Sequence, residues 1–172
     1  MRLMSRSITS AAVMYALASS SASAQAAHPN YSGTWVLDSS KSASNSAMGD
    51  APQIASATWV IAQHGDTIVM DRETAVSGQP VAKAHIMVAT DGKPWKNTVQ
   101  QGGSDIETSS IGSWVNGELV ISTSGNIQGF DFVQTDRWTL SADGQSLVSR
   151  RSVTVTDQGE VQSATLTFTK KS

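Results

Sequence analysis

The sequence predicts an all-β domain: an antiparallel up-and-down meander of about ten strands closed as a barrel. Three observations predict it. Short runs rich in Val, Ile, Thr and Trp recur from residue 33 to residue 169, each bounded by Gly, Asn, Asp or Pro. The connections are mostly of hairpin length, whereas a sandwich usually needs longer crossings. After the N-terminal segment no sustained helical periodicity appears, and strands do not alternate with helices, which argues against a parallel sheet.

The elements follow in order. Residues 33–38 (GTWVLD) open the domain, and residues 39–57, rich in Ser and Ala, read as a loop carrying one short helical turn. Residues 58–64 (TWVIAQH) and 67–73 (TIVMDRE) form a hairpin about Gly65-Asp66. Residues 81–90 run to a turn at Asp91-Gly92-Lys93, and residues 95–100 continue to a break at Gly102-Gly103. Residues 106–114 and 118–124 flank Asn116-Gly117, the dipeptide that suits a type I′ turn. Residues 131–141, 146–156 and 161–169 are joined at Ala142-Asp143-Gly144 and at Asp157-Gln158-Gly159.

The 172 residues suffice for one domain with a real core. A net charge of −2 and the lack of a Lys/Arg stripe give no electrostatic case for nucleic acid or for an anionic membrane. No apolar run approaches the roughly 18 residues that a spanning helix needs. Cysteine is absent, which removes disulfides, thiol catalysis, Cys zinc sites and a lipidated N-terminal Cys.

Residues 1–26 read as a signal peptide that is removed. Arg2 and Arg6 make a positive start, residues 8–18 a short apolar stretch, and Ala22-Ser23-Ala24 an A-x-A cleavage signature. Ala24-Gln25-Ala26 offers a second register, so the mature domain is residues 27–172 and the expected location is periplasmic or secreted. His28 then lies beside the cleavage site, where order is not expected.

Catalytic signals are sparse. There is no Gly-x-Ser-x-Gly elbow, and Gly102-Gly103 lacks the strand–helix context of a phosphate loop. His64 and His85 are not spaced as metal ligands, so no metal and no cofactor is expected. His85 and Asp136 are the catalytic candidates, because each shares a strand face with apolar residues. Solvated surface positions are the simpler account of both. In residues 130–140 one face carries Phe130, Phe132, Trp138 and Leu140 but also Gln134 and Asp136, as in a barrel whose interior is partly wet or holds a ligand. Trp59, Trp138 and Phe132 are the candidate ligand contacts, since apolar pockets are lined by aromatics with a few polar groups.

The run Tyr31-Ser-Gly-Thr-Trp-Val-Leu-Asp-Ser-Ser-Lys-Ser42 resembles the opening of exported bacterial lipocalin-like proteins of the calycin type. Arg137-Trp138-Thr139-Leu140-Ser141 with Asp143-Gly144 is similar to their recurring hairpin, and residues 165–170 to their closing strand. The resemblance implies a barrel in which Trp35 of Gly33-x-Trp35 plugs the closed end. A basic residue from a late strand would cover it, with Arg137, Arg150 and Arg151 as the choices. It also implies a small apolar or amphipathic ligand in the barrel. The alternatives are a cofactor-independent isomerase or lyase acting on an apolar substrate, and an envelope structural or protein-interaction module using the 39–57 loop.

Overall fold

The computed structural model of the protein describes residues 28–47, 54–101 and 104–172, so the expected signal peptide lies outside the described residues. Eleven strands form one antiparallel sheet: β1 (Gly33–Leu37), β2 (Ala43–Ser46), β3 (Ile54–His64), β4 (Thr67–Val76), β5 (Ala82–Ala89), β6 (Trp95–Gln101), β7 (Ser104–Val115), β8 (Glu118–Ile127), β9 (Phe130–Leu140), β10 (Ser146–Val155) and β11 (Gly159–Lys170). From β3 to β11 each strand pairs with the next, and β1 pairs with both β3 and β11. Ten strands therefore close into a barrel, with β2 added outside the ring on β11.

The strand β2 corrects the expectation of a loop over 39–57. Residues 39–41 do form one 3-10 turn, but Ala43–Ser46 then pair with Thr165–Gln162 of β11. Nothing apolar marks this run, because β11 offers a backbone edge that any extended segment can satisfy.

The core lies at one end of the barrel. Tyr31, Trp35, Trp59, Trp138, Phe168, Leu119 and Leu147 are buried there. Trp35 stands opposite Trp59 across β1 and β3. Trp59 packs on Phe168 at 4.1 Å and on Trp138 at 5.4 Å between ring centroids. The Trp35 indole N–H donates to the Tyr31 carbonyl at 2.8 Å, and the Tyr31 hydroxyl donates to the Trp138 carbonyl at 2.7 Å. Burial pushes the Tyr31 phenol up to about 12, so it stays neutral and keeps donating. His28, contrary to expectation, is stacked on Trp114 at 4.1 Å between centroids.

The cover of Trp35 is Lys170 of β11, whose ammonium lies 5.3 Å from the indole centroid. Arg137 and Arg150 instead face outward and share Glu118. Register decides this: Trp35 pairs with Lys170 across β1 and β11, while Arg137 and Arg150 oppose each other on the outer face of β9 and β10. Gly33 completes the arrangement. Its φ is +143°, a conformation that residues with a side chain rarely adopt, and a Cβ there would also sit 2.5 Å from the Lys170 side chain, which would have to shift.

The ladder is thinnest between β5 and β6, where Ala84–Val99 is the one Cα pairing. A side chain replaces the missing rungs. The Met87 N–H donates to Asn97 Oδ1 at 2.8 Å, and Asn97 Nδ2 donates to the Met87 carbonyl at 3.0 Å. Beyond Asn97 the barrel wall passes from β5 toward β7 at Gly112, where a Cβ would lie 2.8 Å from the Ala89 carbonyl oxygen. Asn97→Ala is expected to cost about 2–3 kcal/mol, because it orphans two backbone groups of Met87. Hydrogen exchange at the Met87 amide should rise more than at Met70, which sits within an intact ladder. Equal protection at both amides in the variant would contradict this account.

A half-open chamber with a charged floor

Along each long strand the inward positions grade from buried to half-buried. On β9 Trp138 and Asp136 are buried, Gln134 and Phe132 half-buried, and Phe130 exposed at the rim. On β10 Leu147 and Ser149 are buried while Arg151 and Val153 are half-buried. On β4 Ile68 and Met70 are buried while Arg72, Thr74 and Val76 are half-buried. On β8 Leu119 and Ile121 give way in the same sense to Thr123, Gly125 and Ile127. One half of the barrel is thus plugged by the aromatic core, and in the other half the inward side chains are partly reached by solvent from the rim.

The floor of this chamber carries charge. Asp136 of β9 and Arg151 of β10 are paired in register, and Arg151 Nε donates to Asp136 Oδ1 at 2.8 Å. Gln134 Nε2 donates to the other carboxylate oxygen at 2.6 Å, and Ser149 Oγ donates to Oδ1 at 3.2 Å. Arg72 of β4 enters from the opposite wall, with its guanidinium 5.9 Å from the Trp59 ring centroid. Burial, reinforced by the neighbouring Arg151 and partly offset by Asp136, pushes Arg72 down to about 10, which leaves it cationic at neutral pH. Two guanidinium groups therefore face one carboxylate inside the barrel. Two buried polar atoms among those described have no partner, Arg151 Nη2 and Trp138 Nε1. Both are donors, so the interior is short of acceptors.

The predicted site residues separate by height. Trp59 and Trp138 lie in the buried aromatic core beneath the floor, 2% and 1% exposed. Phe132 stands on the chamber wall and lies over Gly125, where a Cβ would come within 2.9 Å of its ring. His85 is not inside at all. It faces solvent on β5, with Nδ1 2.7 Å from Asp71 on β4. The alternation that sends Ile86 and Val88 inward sends His85 outward. Asp136 does face inward, but its oxygens already accept from three donors, which suits holding a cation in place better than taking a proton. Among the described residues no group of three His, Asp or Glu could hold a metal ion. None of the helices there is long and apolar enough to cross a membrane.

Arg72 and Gln134 are the floor residues that sequence reading did not single out as site residues. The signal was present as parity: Arg72 follows Ile68 and Met70 at spacing two on β4. In the Arg150-Arg151 doublet the same alternation must turn one arginine in and one out. A groove of about 460 Å³ lies where β6 to β9 meet the rim; Lys96, Glu107, Ser124 and Asp131 give it mixed charge, and the inward Thr108, Gly125 and Phe132 line it as well.

A closed antiparallel meander, opened by Gly-x-Trp and plugged by that Trp, has the fold of a lipocalin-like β-barrel. The chain is similar to a secretary abundant heat soluble (SAHS) protein from Ramazzottius varieornatus, with 15% identity and a TM-score of 0.50 over 82% of this chain and 95% of that one. It is similar to Rv2717c from M. tuberculosis, with 9% identity and a TM-score of 0.53 over 83% of this chain and 93% of that one. A Schistosoma mansoni fatty acid binding protein in complex with arachidonic acid aligns at 13% identity and a TM-score of 0.46, over 83% of this chain and 96% of that one. At such identities the likeness to the first two concerns the fold. No family model and no curated protein matches the chain.

Proposed function

We propose that the protein binds a small amphipathic molecule in the half-open chamber, and that it does so after export to the periplasm or beyond. The observation that carries the binding reading is the burial gradient. Apolar side chains such as Phe132, Val153, Ile127 and Val76 line a wall that the protein itself leaves half-covered, above a floor of charged groups. Apolar wall left in water has a standing cost of about 25 cal/mol per Å², and a bound apolar tail removes it. The export half rests on the positive start, short apolar stretch and A-x-A sites of residues 1–26.

One measurement reads both halves. Native mass spectrometry of the periplasmic fraction should give a chain lacking residues 1–24 or 1–26, with a mass excess equal to a small ligand. Titration of the purified chain with lipophiles and aromatic acids should then change its tryptophan fluorescence saturably, since Trp59 and Trp138 sit under the floor. A chain that keeps its first residues sinks the export reading. Absence of saturable binding across the panel sinks the other.

A further inference from the structure

We infer that the groove across β6 to β9 is a binding site separate from the chamber, and that its ligand is a neutral polyhydroxylated molecule, a sugar. Strand register builds the groove. Lys96, Ser109, Ser124 and Val133 stand on one rung across the four strands, each paired with the next. Toward the rim, Glu107 of β7 and Asp131 of β9 stand to either side of β8. The middle strand brings only Ser124 and Gly125 to the lining, so longer side chains form two walls about a floor of small ones. Asn126, the next outward residue of β8, is held in the turn instead. Its Oδ1 accepts from the Gly129 N–H at 2.9 Å, and its Nδ2 donates to Asp131 at 2.8 Å. The groove measures about 460 Å³, within the roughly 300–1,000 Å³ of small-molecule sites. Its residues all stand on paired strands, which hold side chains at fixed spacing.

The chemistry of the lining selects the ligand. Lys96 donates, Glu107 and Asp131 accept, and the Ser109 and Ser124 hydroxyls do both. Among the described residues, the side chains of Lys96, Glu107, Ser109 and Ser124 have no hydrogen-bond or ion-pair partner within the protein. A sugar hydroxyl is donor and acceptor at once, so a set of them meets the ammonium, the carboxylates and the serines in turn. Val133, exposed on one wall, offers an apolar patch to the C–H face of a sugar ring. Other classes fit worse. An oxyanion meets two carboxylates against one ammonium. A simple amine sets a second cation beside Lys96. An acyl chain takes charged and hydroxyl groups out of water and returns no hydrogen bonds. A metal ion would have to bridge Glu107 and Asp131, which lie two strands and so about 10 Å apart.

The test is an amide NMR titration of the full chain with cellobiose, maltose, inorganic phosphate and hexylamine in turn. At least one disaccharide is expected to shift the Ser109, Ser124, Gly125 and Val133 amides saturably, with a Kd on the order of 1 mM, the scale of a few solvent-exposed hydrogen bonds. Phosphate and hexylamine should leave those amides in place. Asp131→Asn and Lys96→Ala should each weaken disaccharide binding about 3- to 10-fold, the margin of one hydrogen bond. Ser124→Tyr fills the floor from an exposed position, so it should abolish binding while leaving thermal unfolding unchanged. No saturable shift with either disaccharide overturns the inference. Shifts centred on Arg72 and Arg151 place the sugar in the chamber and overturn it as well. Tighter binding of hexylamine or phosphate makes the groove a plain charge site and overturns the ligand class. Ser124→Tyr with intact binding moves the ligand off the groove. The wild-type titration decides even if a variant fails to fold, and none of these outcomes bears on an apolar ligand in the chamber.

Discussion

Asp136→Ala is expected to lower the free energy of unfolding by about 3–5 kcal/mol, the cost of stranding buried charge. The carboxylate side chain is only 6% exposed and, among the described residues, is the anion that faces Arg72 and Arg151. Its removal leaves two half-buried cations without their counter-charge and strips partners from Gln134 and Ser149 as well. Urea denaturation measures the loss. The double variant Asp136→Leu with Arg151→Met should recover most of it, because it removes the desolvation cost of both ions together. A single-variant loss below about 1 kcal/mol would mean that the floor is hydrated like a surface pair. The outer pairs offer the internal comparison: Lys83–Glu73 and His85–Asp71 are more than half exposed, and breaking either should be close to neutral.

Trp35→Ala should cost a similar amount, about 3–5 kcal/mol, by emptying the plug. Trp35 is fully buried, stands against Trp59, and donates its indole N–H to the Tyr31 carbonyl that leads the chain into the barrel. Lys170→Met at its cover should cost no more than about 1 kcal/mol, since a cation over a ring near the surface is worth about that. Thermal and urea unfolding of the two variants separate the contributions. A Lys170→Met loss as large as that of Trp35→Ala would shift the closure of the barrel from packing to the cation.

The strand pattern was legible because period-2 apolar runs and turn residues are local signals. The predicted strand at 58–64 is extended to Ile54–His64, and the turn dipeptide Asn116-Gly117 takes positive φ at both residues. The turn at Gln128-Gly129 also takes positive φ at both, although glutamine is not a residue that announces it. Phe132 could be placed on the inner face of β9 from alternation alone. Whether Arg137 or another cation covers Trp35 could not be decided so, because the answer is a strand pairing between residues 135 positions apart.

By itself the sequence determined the class of the fold and the order of the ring strands, since each is written in patterns a few residues long, while the plug at Trp35 came from a resemblance rather than from the pattern. Three things were decided only by the tertiary structure. Lys170 lies over Trp35 because β1 and β11 close the ring in that register. Asn97 stands in for a rung because β5 and β6 diverge there. Arg72, Asp136 and Arg151 share one chamber because ring closure brings β4 to face β9 and β10. Each depends on a contact between distant parts of the chain, and a side chain's local pattern gives its face but not the partner it meets across the barrel.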